Sequence, residues 1–258
     1  MTIELSQLLI LALASVFAGL VDSVVGGGGL IQIPVIFSLL PQQIPATLFG
    51  TNKIASVFGT SNAAWRYSRR VNMPWGTTLP AALAAFACSY LGAMSVAWLP
   101  REMLRPMILF LLVGAAAYTF WHKDFGAMHR PQHAGHREFG YALLVGGVIG
   151  FYDGFFGPGT GSFLIFLFIR FFGFDFLHAS AAAKIVNVAT NLAAIAYFVP
   201  NGYYLPLFAL IMATANIFGS FIGTHLALRH GSGFVRKVFL LVVGALILKF
   251  AWDTLSGA

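Results

Sequence analysis

Two lysines sit where lysines are costly. Lys53 and Lys184 each lie well inside an apolar run. Burying a lysine at mid-bilayer costs at least about 2.5–3.5 kcal/mol on insertion scales. Each heads a polar stripe: Lys53, Ser56 and Thr60 in one place, Lys184, Asn187 and Asn191 in the other. The steps are i, i+3 and i+7, so each stripe lies on one helix face. Thr51 and Asn52 precede the first lysine. A cation beside a row of amides and hydroxyls is chemistry for holding an anion. The plainer alternative is a lysine that snorkels to an interface or neutralises an acid.

Two glycine-rich breaks add to this. Gly26-Gly27-Gly28-Gly29 and Gly157-Pro158-Gly159-Thr160-Gly161 each precede a short apolar stretch, residues 30–40 and 161–172. Eleven helical residues reach only about 16 Å, half of a hydrocarbon core. A helix starting at such a break presents free amides and a partial positive charge, which attract anions. Gly28, Gly29, Gly159 and Gly161 allow close approach to the backbone. Thr160 and Ser162 offer hydroxyl donors. Close helix packing is the competing use of these glycines. Asp22 and Asp153 stand four residues before the first glycine of each break. An intramembrane carboxylate is a candidate proton site. It is equally a candidate partner for a lysine, and both readings stay open.

Other chemistries lack their residues. Neither glycine run ends in Gly-Lys-Ser/Thr, so a P-loop is unsupported and no cofactor is expected. The single cysteine, Cys88, has no nearby histidine in sequence and excludes a Cys-based zinc site. No His-Glu-x-x-His occurs. His122, His129, His133 and His136 fall in a polar linker and read as solvated rather than as a metal cluster.

The elements that must position these residues follow from composition. Of 258 residues, 59% are apolar and 9% charged, against about 25% charged in a soluble domain. A soluble globule and a disordered chain are both excluded. The formal charge of +7 comes from basic residues in short gaps between apolar runs, which points to lipid rather than nucleic acid. Several runs reach the ~20 residues that cross a bilayer as helix. Trp65, Trp75, Trp98, Trp121 and Trp252 fall near their ends, as an aromatic belt predicts. The N-terminus has Glu4 and no basic residue, so no cleavable signal is expected.

Adding 131 to a position superimposes the two halves without a gap. Asp22 falls on Asp153, Gly26 on Gly157, Gly28 on Gly159, Lys53 on Lys184, Ser89 on Ser220, Gly92 on Gly223 and Arg105 on Arg236. Over residues 19–105 there are 15 identities in 87 positions. The recurrence of three charged positions with identical type carries the most weight, and it indicates an internal repeat. If each break only bends a spanning helix, the loop Lys and Arg split 7 against 6. If each break turns the chain back, they split 10 against 3. The positive-inside rule favours the second. The expected fold is therefore an all-α polytopic membrane protein of two inverted repeats. Residues 1–121 and 139–258 each form a glycine-broken hairpin and three spanning helices. A cytoplasmic linker, 122–138, joins them, and both termini lie outside the cytoplasm. Inverted repeats with broken helices are a recurring build of secondary transporters.

The stretch Ala18-Gly19-Leu20-Val21-Asp22-Ser23-Val24-Val25-Gly26-Gly27-Gly28-Gly29 with Gly50-Thr51-Asn52-Lys53-Ile54-Ala55-Ser56 resembles the first half of the TauE/SafE sulfite-exporter family. Gly150-Phe151-Tyr152-Asp153-Gly154-Phe155-Phe156-Gly157-Pro158-Gly159-Thr160-Gly161-Ser162 with Ala183-Lys184-Ile185-Val186-Asn187-Val188-Ala189-Thr190-Asn191 resembles the second. The resemblance implies a multi-pass transporter of sulfur oxyanions such as sulfite, sulfonates or thiosulfate, exporting in much of the family. On this reading Lys53 and Lys184 supply charge. Asn52, Ser56, Thr60, Asn187 and Asn191 supply hydrogen bonds, and Asp22 and Asp153 are proton-coupling candidates. The expected partners are a small anion, the bilayer and a coupling proton or ion, with no nucleic acid. An anion channel of the same architecture is the main alternative, and an intramembrane enzyme a lesser one.

Overall fold

The computed structural model describes residues 5–98, 126, 128–130 and 135–256. Among them every regular element is helical. The chain runs α1 (Leu5–Val25), α2 (Gly28–Leu39), α3 (Pro45–Ser68) and α4 (Trp75–Met94), closed by a short 3₁₀ turn at Ser95–Trp98. It resumes with α5 (His136–Phe155), α6 (Thr160–Phe172), α7 (Phe176–Phe198) and α8 (Pro206–Ser256). Among the described residues, four helices are long and apolar enough to cross a membrane: α1, α4, α7 and the Pro206–Ala245 part of α8. The spanning helix expected over residues 103–121, with Arg105 and Trp121, lies outside the described residues, as do His122 and His133. α5 begins at His136, inside the stretch read from sequence as linker.

The repeat spacing is visible in the element order. Shifted by 131, the starts of α1, α3 and α4 fall on those of α5, α7 and α8, and α2 falls within one residue of α6. α8 covers two apolar runs, because the chain stays helical on both sides of Gly231, a kink at φ 68°.

Large apolar residues face outward and small ones inward, the pattern of a bundle whose solvent is lipid. On α1, Leu5, Leu9, Leu13 and Phe17 are exposed while Ser15, Ala18 and Gly19 are buried. Lipid supplies little hydrophobic drive between helices, so close backbone packing must hold them. It does so twice, reciprocally. A methyl group at Gly92 would lie 2.2 Å from the Phe151 carbonyl oxygen, and one at Gly223 2.3 Å from that of Leu20. These are the same contact displaced by 131. Likewise Ser89 Oγ donates to the Thr190 carbonyl (3.0 Å) and Ser220 Oγ to that of Gly59 (2.6 Å). Contacts i to j and j to i are the mark of a two-fold relation. Asn216, Ser220 and Thr224 belong to this packing: Gly19 abuts the Asn216 backbone and Gly59 its side chain.

The equivalent helices α3 and α7 cross in opposite directions. Gly50, early in α3, packs on Phe198 at the end of α7. Late in α3, Tyr67 donates to the Ser23 carbonyl (3.0 Å), beside the Val24 carbonyl that takes the hydroxyl of Ser180, early in α7 (2.7 Å). The end of α3, the Gly231 kink and the starts of α4, α5 and α7 thus gather at one end. Thr77 of α4 donates to Glu138 of α5, and the Leu177 amide to Ser232. Arg66, Arg69, Arg70, Arg137 and Arg229 stand at that end.

Candidate functional site

Each half bends at its glycines because only glycine tolerates the required backbone. Gly26 (φ 78°) and Gly157 (φ 94°) take left-handed conformations at equivalent positions. They let α2 and α6 turn back against α1 and α5. The two breaks then meet: a methyl group on Gly26 would sit 2.4 Å from the Gly161 Cα, and one on Gly29 3.4 Å from the Pro158 Cα. α2 and α6 start at caps without side-chain hydrogen bonds, Gly27 and Gly159. The first-turn amides of a helix have no carbonyl one turn earlier to receive them.

A small cavity of about 30 Å³ lies where the breaks meet α3 and α7. A water needs roughly 10–15 Å³ by this kind of measure, so the space holds about two. α3 lines it with Asn52, Lys53, Ser56 and Thr60, and α7 with Asn187 and Asn191. The breaks contribute Gly26, Gly29, Gly157, Thr160 and Gly161, and Asp22 and Asp153 complete it. The first polar stripe read from the sequence and the two asparagines of the second therefore meet in one space.

The charges are crossed between halves. Lys53 Nζ donates to Asp153 Oδ2 at 2.6 Å, and Lys184 Nζ lies 3.5 Å from Asp22 Oδ2. One pair becomes the other on adding 131 to the lysine and subtracting it from the aspartate. They are not equal. The Lys53 pair is short and sealed, with side chains 4% and 6% exposed. Lys184 is fully buried without an aligned hydrogen bond, and Asp22 is 18% exposed. Thr60 Oγ1 also donates to Asp22, at 3.3 Å. Buried ion pairs of this kind return little net stability, while leaving one partner alone is severe.

Three expectations need correction. The two ammonium groups do not face a shared positive pocket: Lys53 lines the cavity, whereas Lys184 stands behind Asp22. The four charges balance formally, because each lysine draws its carboxylate from the opposite half. Thr160 and Ser162 do not hold free donors, since Thr160 Oγ1 donates to the Gly157 carbonyl (2.7 Å) and Ser162 Oγ to that of Val25 (2.9 Å). Each hydroxyl has one proton, and the fold has used it. Gly28 packs on Asp22 and Gly159 on Phe163 and Leu30, so neither lines the space. By contrast, the Oδ1 atoms of Asn52 and Asn187 are buried without a partner, which leaves two acceptors in the site that only a donor can satisfy.

Sequence reasoning missed the residues that brace the breaks. Tyr152 donates to the Pro158 carbonyl (2.6 Å), and Tyr67 and Ser180 reach the last carbonyls of α1. The 131 shift pairs Tyr67 with Phe198 and Tyr152 with Val21, so duplication gave no signal for them.

Paired broken hairpins, closing on buried charges inside a lipid-facing helical bundle, define a polytopic membrane transporter. The chain belongs to the sulfite exporter TauE/SafE family, whose model matches residues 11–250. It is 34% identical to a probable membrane transporter protein, ORF9, of Sinorhizobium sp, covering 94% of this chain and 92% of that one. It is 30% identical to a probable membrane transporter protein of Haemophilus influenzae, covering 98% of each. The probable membrane transporter protein YfcA of Escherichia coli K12 is 29% identical over 95% of this chain and 90% of its own. No solved structure matches the chain.

Proposed function

We propose that the protein is a secondary transporter of the cytoplasmic membrane that moves a small sulfur-containing oxyanion, of the sulfite or organosulfonate class, outward. The carrying observation is the crossed set of ion pairs at the junction of two glycine breaks. Transport requires a site that both halves build and that either half can uncover. Here both lysine–aspartate pairs span the two halves, so moving one against the other dismantles the site. The antiparallel course of α3 and α7 supports inverted repeats. The arginines collected at one end support placing that end, and the linker, in the cytoplasm, with both termini outside. The family name supports the sulfur oxyanion and export.

In this conformation the cavity is too small for a sulfonate with an organic tail, so such a substrate binds only after the halves part. Binding also changes the charge balance. An anion adds one negative charge to two lysines and two aspartates. A proton on Asp22, the more exposed carboxylate, restores neutrality and frees Lys184 to face the guest. Asn52 and Asn187 turn their amides to its oxygens, with Asn191, Ser56 and the Gly29 and Gly161 backbone completing the cage. If anion and proton travel together, outward movement is driven by the anion's own gradient against that of the proton.

The test is flux of sulfite and sulfoacetate in proteoliposomes with an imposed pH gradient. Wild type saturates and responds to the gradient; Lys184→Gln and Lys53→Gln abolish flux. Full flux in Lys184→Gln would remove its role, and linear, gradient-independent flux would make the protein a channel. A thermal-shift comparison of sulfite, sulfate, thiosulfate, sulfoacetate and taurine selects the substrate, since a ligand of the folded state raises stability.

A further inference from the structure

The seam between α3 and the first arm of α8 opens outward at the arginine-rich end. Arg66 of α3 and Arg69 and Arg70 just past its end face His225 and Arg229 of α8 across a cleft of about 650 Å³. Its rim is aromatic, with Trp65 60% and Phe221 54% exposed. The Arg66 guanidinium lies 4.0 Å over the Phe221 ring and donates to the Phe221 carbonyl at 3.3 Å. That of Arg69 lies 5.5 Å from the Trp65 ring. Among the described residues, no carboxylate lines the cleft.

The internal repeat supplies the control. Moved by 131, Arg66 becomes Tyr197 and Phe221 becomes Tyr90. Those rings meet edge-on at 6.1 Å, bridging the equivalent seam of α7 and α4 at the opposite end beside a smaller, uncharged cavity of about 280 Å³. Arg70 becomes Asn201, Arg69 becomes Pro200 and His225 becomes Met94. The fold therefore bridges this seam without charge, and the cations at one end answer to something other than packing.

A second feature points to the ligand. The same seam continues away from the arginines as an apolar groove of about 320 Å³, between Ile54 and Phe58 of α3 and Leu210, Ala213 and Ile217 of α8. Positions 54, 58, 62 and 65 of α3, with 69 just past its end, form one stripe at helical spacing, and positions 210, 214, 217, 221 and 225 of α8 another. About 10 Å of helix separates Phe58 from Trp65. Cations at the membrane edge, an aromatic rim and an apolar trough toward the bilayer centre match a lipid's phosphate, glycerol and acyl chain in order.

We propose that this seam binds a phospholipid with an anionic head group, the phosphate held by Arg66, Arg69 and Arg229 and one acyl chain lying along Phe58 and Ile217. This rests on the membrane setting alone and not on the transported substrate. The experiment uses the full chain in uncharged detergent, with native mass spectrometry and thermal shift as readouts. Long-chain phosphatidylglycerol stays bound and raises the melting temperature, while phosphatidylcholine, dihexanoyl phosphatidylglycerol and inorganic phosphate do so far less. Arg66→Tyr installs the residue that the repeat already accommodates, and it weakens phosphatidylglycerol binding roughly fivefold. Adding Arg69→Gln and Arg70→Gln brings the loss to the order of a hundredfold. Arg229→Gln, at an exposed position, gives its own roughly fivefold loss where the triple variant does not fold. Equal retention of phosphatidylcholine, or undiminished phosphatidylglycerol binding in these variants, overturns the proposal. So does inorganic phosphate or sulfite reproducing the full shift, which would make the cleft an entry basin for free anions.

Discussion

Lys53 and Asp153 are 100 residues apart in the chain and 2.6 Å apart in space. Their energetics separate folding from transport. Removing one charge leaves the other buried alone, which costs about 3–5 kcal/mol. Lys53→Met is therefore expected to lower thermal stability sharply, and Asp153→Leu likewise. The double variant Lys53→Met/Asp153→Leu recovers most of that stability and carries no sulfite, measured by melting in detergent and flux in vesicles. Recovery of flux in the double variant would show that the pair serves only the fold. Both lysines and their stripes were legible in the sequence because duplication set them against an apolar background. Their partners were not legible, since two lysines and two aspartates allow same-half or crossed pairing at equal spacing. The hydroxyls of Thr160 and Ser162 misled for a similar reason: the carbonyls that capture them come from chain geometry, not from residue type.

Another residue-scale effect lies outside the membrane. His129 stacks on His178, ring centroids 4.0 Å apart, and His178 donates its amide to Asp175, the cap of α7. Partial burial, then the neighbouring His178, hold His129 below its ordinary 6.5, against the pull of Asp175. A histidine held down in the fold contributes stability that is present above its unfolded value and lost as pH falls through the lowered one. The strap that ties Gly126 and Arg130 to Phe176 and Gly173 is thus expected to loosen as pH falls below the ordinary histidine value and through the lowered one. A spin label at Met128→Cys gains mobility over that interval, and His129→Phe flattens the response. Unchanged mobility in the parent rules the effect out.

At the scale of elements, the glycines separate into those that touch backbone and those that do not. A methyl group at Gly219 would lie 1.8 Å from the Val16 carbonyl oxygen, so α1 and α8 must part. At the equivalent crossing the small residue has changed sides: Gly147 faces Cys88, and an added methyl would meet its Sγ at 3.5 Å, an ordinary contact. Gly219→Ala is expected to destabilise by about 1–3 kcal/mol and Gly147→Ala by well under that, as read by unfolding in detergent. Equal effects would mean that these crossings are looser than drawn. Segment lengths and breaks were readable from hydropathy and glycine runs. The two apolar runs within α8 were also readable, since Gly231, non-helical at φ 68° and ψ −166°, separates one helical arm from the next.

For the whole molecule, the proposed orientation makes a labelling prediction. In a Cys88→Ala background, Arg70→Cys reacts with an impermeant maleimide only from the cytoplasmic side, and Asn201→Cys only from outside. Labelling of both from one side would sink the inverted arrangement. The repeat spacing was legible because a single offset aligned its charged positions, and the proposed direction of the halves rests on counting basic residues. The basic cleft was invisible as a site, since its arginines come from the end of α3 and from α8 and only look like topology signals when read singly.

The crossing of charges between halves bears on how the chain is made. Synthesis delivers Asp22 and Lys53 to the membrane long before Asp153 and Lys184 emerge from the ribosome. The nascent first half carries one carboxylate and one ammonium within apolar helices, with Thr60 there to meet Asp22 but neither of the ion-pair partners that the finished protein supplies. Its insertion is provisional, and the later half completes the earlier one. A chain truncated after α4 would therefore be a substrate for quality control rather than a stable half-transporter.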